Sequence, residues 1–93
     1  MTGSSNAALV TGASRRIGRA IALDLANHGW AVAVHFNGSG EDAAEVVATI
    51  TERGQRAVAV AADLADEEAT TALVGRAAEA IGPLSCLINN ASI

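Results

Sequence analysis

Tyrosine and lysine are both absent from this chain of 93 residues. Aromatic content is limited to Trp30 and Phe36, proline occurs once at Pro83, and cysteine once at Cys86. A single cysteine cannot close an internal disulfide, which excludes a bridge-held secreted scaffold and suits a reducing cytosol. No apolar run approaches the roughly 18 residues that cross a bilayer, and residues 1–6 lack the basic and apolar segments of a signal peptide. A cytoplasmic location is therefore expected. The formal net charge of −4 offers no electrostatic footing for nucleic acid or an anionic membrane. The length leaves room for one domain at most.

What is present is apolar but small. Hydrophobic residues make up 51% of the chain, mainly Ala, Val, Leu and Ile, the mix of a parallel sheet flanked by helices. All six basic residues are arginines, and three of them crowd positions 15, 16 and 19. In an acidic chain that cluster is a first pointer to an anionic ligand.

Short apolar runs alternate with longer amphipathic ones. After a polar stretch at residues 1–5, expected to be disordered, Ala7–Val10 reads as a buried strand, followed by a loop at 11–16. Residues 17–28 turn helical, with Ile17, Ala20, Ile21 and Leu25 on one face and Arg19 and Asp24 pointing away. Gly29 suits the left-handed position that ends a helix. Residues 30–36 form a second strand, 37–40 a glycine-rich loop, and 41–53 a second helix that presents Ala43, Val46, Val47 and Ile50 and stops at Gly54. Acids at its start and Arg53 at its end agree with the helix macrodipole. A third strand covers 56–62. Asp66 is placed to cap a third helix running to Ile81, with Ala69, Leu73, Ala77 and Ile81 inward and Gly82-Pro83 as its stop. Residues 84–88 supply a fourth strand.

The element order is βαβαβαβ. Strands joined by crossover helices must run parallel, and right-handed crossovers wind them into an open sheet, here in the expected order 3-2-1-4. Residues 6–93 are read as one domain, without repeats or linkers.

The loop Thr11-Gly12-Ala13-Ser14-Arg15-Arg16-Ile17-Gly18 lies between the first strand and the first helix. Gly12 permits a tight turn, Gly18 inside the helix permits close packing on the sheet, and the helix start offers N–H groups and a positive dipole end to an anion. A pyrophosphate fits there, and ligands of doubly wound sheets bind at this edge.

The segment TGASRRIGRAIA resembles the TGxxxGxG loop of the short-chain dehydrogenase/reductase family. Asp63-Leu64 after the third strand and Asn89-Asn90-Ala91-Ser92 after the fourth are similar to two further motifs of that family, each following its expected strand. Arg16 stands where the common loop has its middle glycine, and Ser92 where NNAG has its last. Both departures are similar to the family's pteridine reductase-like branch. The resemblance implies an α/β, Rossmann-type fold, truncated relative to the family's seven-stranded sheet, and an oxidoreductase that moves hydride between a nicotinamide and a carbonyl or alcohol. It further implies that Asp63 and Leu64 contact the adenine, that Asn90 and Ala91 line the ribose and approach the nicotinamide, and that Asn89 ties strands together.

The choice of nucleotide follows from charge. Rossmann proteins that prefer NAD end their second strand in an acid that binds the ribose 2′-hydroxyl; here the strand ends His35-Phe36-Asn37, with no acid before Glu41. A 2′-phosphate of charge about −2 is not repelled. Arg15 and Arg16 attract it, each by roughly 1.5–3 kcal/mol for a charge-assisted hydrogen bond. Ser39 and backbone amides near Asn37 add donors. NADP(H) is expected over NAD(H), bound by Gly12, Ser14, Arg15, Arg16, Ile17, Gly18, Asn37, Ser39, Asp63, Leu64, Asn90 and Ala91.

His28 and His35 have no partners at metal-ligand spacing and read as satisfied or exposed histidines. Cys86 reads as a small core residue, Trp30 as a rim contact, and Glu67 and Glu68 as a solvated helix start. No metal is expected, and no catalytic residue is assigned. The resemblance places a catalytic Ser, a Tyr and a Lys four residues after it beyond the fourth strand. The chain alone is therefore expected to be inactive, marginally stable or dependent on a partner, with strand 4 as an apolar edge. A full-length parent is expected to form homo-oligomers and act on a small carbonyl or alcohol. The alternative is a non-catalytic module that binds or senses NADP(H).

Overall fold

The computed structural model describes residues 6–13, 16–38 and 40–90. Seven elements alternate: β1 (Ala7–Val10), α1 (Arg16–Asn27), β2 (Ala31–Phe36), α2 (Gly40–Glu52), β3 (Ala57–Ala61), α3 (Glu67–Ile81) and β4 (Cys86–Ile88). The four strands form one parallel sheet in the order β3-β2-β1-β4; the crossovers require the parallel run, and the order is the one expected of a mononucleotide-binding half. Element ends differ from the sequence reading by one or two residues. The flanking residues still bond as ladder extensions, Ser85 N–H to the Ala7 carbonyl at 2.7 Å and Ala62 N–H to the Phe36 carbonyl at 3.1 Å.

Burial explains why the inner strands are apolar without alternation. In a sheet covered on both faces, odd and even positions alike leave water. Val10, Val32 and Val34 pack under α1 and α2 with Ala22, Ala26, Ala43, Val46 and Ile50. On the opposite face Leu9, Ala31, Ala33 and Val60 pack under Leu73, Ala77 and Ile81 of α3. All four β1 residues are fully buried, so the central strand is the fixed frame for the loop that follows it.

The buried face of α1 differs from the expected one. Gly18, Ala22 and Ala26 are the buried residues, Ile21 and Leu25 are half-buried, and Ala20 and Ile17 are exposed, Ile17 by 70%. The three small residues recur every four positions, and Ala22 and Ala26 let the helix axis approach the sheet closely. Larger side chains flank the contact instead of filling it.

Helix ends follow their residues. At the end of α1, Gly29 has φ 88° and its N–H bonds the Ala26 carbonyl while Trp30 N–H reaches the Leu25 carbonyl. Gly54 (φ 84°) and Gln55 repeat that pair of bonds on Thr51 and Ile50 after α2. Arg53 lies one residue beyond α2 and donates to Asn27 Oδ1 at 2.8 Å. Asp66 caps α3, its carboxylate accepting from the Glu68 and Ala69 amides. No helix of the described residues is long and apolar enough to cross a membrane.

Candidate dinucleotide site

The C-terminal ends of all four strands lie along one edge of the sheet, and the chain's candidate residues gather there. At the end of β1, Thr11 N–H bonds the Ile88 carbonyl at 3.0 Å, which prolongs the ladder with β4. Its side-chain oxygen accepts the Asn90 N–H at 2.9 Å, while its proton is directed toward Asn89 Oδ1 at 3.2 Å and the Ile88 carbonyl at 3.4 Å. Asn90 Nδ2 in turn donates to the Gly12 carbonyl at 3.3 Å. The segment after β4 is thereby buttoned onto the glycine loop across 78 residues of sequence.

Gly12 has φ 63°, which lets the chain turn sharply off the strand. Gly18 is required for a different reason. A Cβ there would overlap the Gly12 carbonyl and lie 2.6 Å from Asn90 Nδ2. Its closest approach is therefore to the loop and the β4 segment, whereas the sequence reading assigned it to packing on the sheet.

Arg16 opens α1 and has φ 58°, the single non-glycine positive φ among the described residues. Its side chain is exposed, as is Ile17 beside it. The first amides of a helix have no intrahelical acceptor and carry the positive end of the dipole, so cationic side chain, dipole and amides combine at one point. Asn37 is exposed at the end of β2. Among the described residues no acid precedes Glu41 on that segment, so no carboxylate opposes an anion there.

After β3, exposed Asp63 accepts the Ala65 N–H on Oδ1 at 2.9 Å and so shapes its own turn, leaving its other carboxylate oxygen. Leu64 is half-buried against the α3 side of the core. Asn90 is half-buried and Asn89 exposed; the Asn89–Thr11 contact agrees with a strand-tying role. Ser14, Arg15, Ser39 and Ala91 lie outside the described residues.

Two polar residues at this edge were not foreseen as part of the site. Thr11 carries the contacts just described. His35 is 1% exposed, and its ring bonds both Gly12 and Ala62. Its signal in the sequence is a histidine inside the apolar run WAVAVHF, which must find partners when buried. His28 is exposed at the end of α1, where Nδ1 donates to the Asp24 carbonyl at 2.8 Å. Cys86 is half-buried on β4, less enclosed than expected because β4 has one neighbour among the described strands.

A glycine loop clamped between β1 and β4, opening a helix at the point where the sheet's winding reverses, is the arrangement of a mononucleotide-binding half. The family model described as short chain dehydrogenase matches residues 6–93. The chain belongs to the short chain dehydrogenase family. Over 89 residues it is 45% identical to the 3-oxoacyl-[acyl-carrier-protein] reductase FabG of Staphylococcus aureus, covering 96% of this chain and 36% of that protein. It is 44% identical over 85 residues to the L-rhamnose 1-dehydrogenase (NAD(P)(+)) of a Sphingomonas strain, covering 91% of this chain and 34% of that one. Among solved structures, a short chain dehydrogenase from Burkholderia cenocepacia in complex with NADP is 51% identical with a TM-score of 0.91, covering 95% of this chain and 36% of that one. FolM alternative dihydrofolate reductase 1 from Brucella canis, complexed with NADP, is 43% identical with a TM-score of 0.89, covering 95% of this chain and 35% of that one. The chain thus spans about a third of the length of the relatives it matches.

Proposed function

We propose that this segment is the NADP(H)-binding portion of an oxidoreductase that transfers hydride between a nicotinamide and a carbonyl or alcohol substrate. The observation that carries the reading is Arg16. An arginine occupies a left-handed backbone position, at the start of α1, where the family's common loop has glycine. Backbone strain of that kind persists where a side chain is needed, and a guanidinium suits a phosphate. The NADP complexes of two relatives at 43% and 51% identity support the same assignment.

In this reading the amides of the first turn of α1 receive the pyrophosphate. Arg16, with Arg15, Asn37 and Ser39, holds the 2′-phosphate, and Asp63 and Leu64 bound the adenine. Asn90 and Ala91 border the ribose toward the nicotinamide. The bound dinucleotide would supply the hydride chemistry. The chain's own residues bind and orient; having neither Tyr nor Lys, they lack the family's proton-transfer pair, so the segment alone is inactive. Substrate choice is not set by this part of the fold. Relatives named for an oxoacyl carrier protein, a sugar and a dihydrofolate match it at 43–45% identity.

The test is a calorimetric titration of NADPH and NADH into the protein and its Arg16→Gly variant. Tighter binding of NADPH, by roughly tenfold or more, is expected and should largely vanish in the variant. Equal affinity for both nucleotides in the unmodified protein would remove the NADP assignment. Nucleotide binding without turnover of any carbonyl substrate by the complete protein would favour the non-catalytic module.

A further inference from the structure

His35 is the most fully engaged polar side chain of the sheet. It lies in β2, next to the last residue of the strand, and its imidazole is sealed from solvent. Nδ1 accepts the Gly12 N–H at 2.9 Å, and Nε2 meets the Ala62 carbonyl at 2.8 Å. An amide can only donate and a carbonyl can only accept, so the ring is the neutral tautomer with its proton on Nε2. The backbone carbonyl of the same residue accepts the Ala13 N–H at 3.0 Å. One residue therefore holds two consecutive loop amides and ties the end of β1 to the end of β3, across β2.

The geometry points to His35 as the positioning residue of the glycine loop, setting through Gly12 the loop shape that receives the dinucleotide. The inference rests on the dinucleotide reading above and deepens it. With their amides bound to His35, Gly12 and Ala13 have no N–H to offer a phosphate, so the anion must be taken by the amides that follow, at the start of α1. Removal of the Nδ1 acceptor leaves the half-buried Gly12 N–H without its partner. The loop then turns to find one, and the fraction in the competent shape falls. Apparent affinity falls with that fraction.

Two substitutions separate this role from simple core stability. His35→Asn places a carbonyl oxygen near the Nδ1 position and can keep Gly12, while giving up Ala62. His35→Gln places an amide N–H near the Nε2 position and can keep Ala62, while giving up Gly12. Each deletes one of the two bonds made by the buried ring, so thermal melts should both show a loss. NADPH affinity, in contrast, is expected to stay within about threefold in His35→Asn and to fall roughly tenfold in His35→Gln. Hydrogen exchange at the Gly12 amide should quicken roughly tenfold in His35→Gln alone. Equal affinity losses in the two variants, or equal Gly12 exchange, would overturn the positioning role. If the unmodified protein binds neither NADPH nor NADH, the dinucleotide reading fails instead, and Gly12 exchange still reports whether His35 holds the loop. Should either variant not fold, ¹⁵N spectra of the unmodified protein's histidines decide: a proton on Nδ1 of His35 excludes the bond to Gly12.

Discussion

Arg16 shows how one residue can be placed against its own backbone preference. A side chain in the left-handed region costs about 1 kcal/mol relative to glycine, and the φ of 58° puts Arg16 there. The Arg16→Gly variant is therefore expected to be more stable by about 1 kcal/mol, a rise in Tm of roughly 4–8 °C for a domain of this size, even as it loses NADPH preference. Differential scanning calorimetry without nucleotide reads the first effect. A lower Tm would mean that the guanidinium makes a stabilising contact that outweighs the strain. The identity of Arg16 as a candidate phosphate ligand was legible from its place in the loop and its charge. Its strain was not, because φ is a property of the closed loop.

At the scale of elements, local chemistry was the more reliable guide where bonds span few residues. Asp66, Gly29 and Gly54 act within four or five positions of themselves, and each ends or starts a helix as its chemistry requires. Loss of the cap in Asp66→Ala is expected to cost about 1 kcal/mol, seen as a lower melting temperature, with Asp66→Asn largely restoring it. A drop of the same size in both would show that charge at the helix dipole, not the hydrogen bonds to Glu68 and Ala69, is what counts. α1 marks the limit of pattern reading. Periodicity finds the large apolar residues Ile17, Ile21 and Leu25, but close approach favours the smallest side chains, so the sheet selects Ala22 and Ala26 and the glycine loop selects Gly18. Ile17 is left exposed beside Arg16, at the ligand edge.

For the whole molecule, the sheet has an uneven finish. β1 is completely enclosed, whereas β4 contributes three residues and has β1 as its one neighbour among the described strands. Leu87 pairs with Leu9 on the α3 side, yet it is 54% exposed. An apolar strand edge of this kind invites association with further strands. Substitution Leu87→Lys is expected to lower self-association of the chain, measured by sedimentation velocity across a concentration series. Its NADPH affinity should stay within about twofold, because Leu87 makes none of the hydrogen bonds that hold the glycine loop. Unchanged sedimentation would show that this edge does not drive association.

Alternating apolar and amphipathic runs, with glycines and an acid at the helix ends, were enough by themselves to determine the βαβαβαβ order, the parallel run of the strands and the position of the glycine loop, while the 3-2-1-4 order came from the mononucleotide-binding arrangement. The element order and the loop position are local, and the parallel run follows from strands joined by crossover helices. Tertiary structure alone decided what touches what at the ligand edge. His35 meets Gly12 across 23 residues and Ala62 across 27, and Asn90 reaches Gly12 across 78. Such bonds depend on strand register and on which residue ends each strand within a few ångströms of its neighbour, and no periodicity in the chain encodes that.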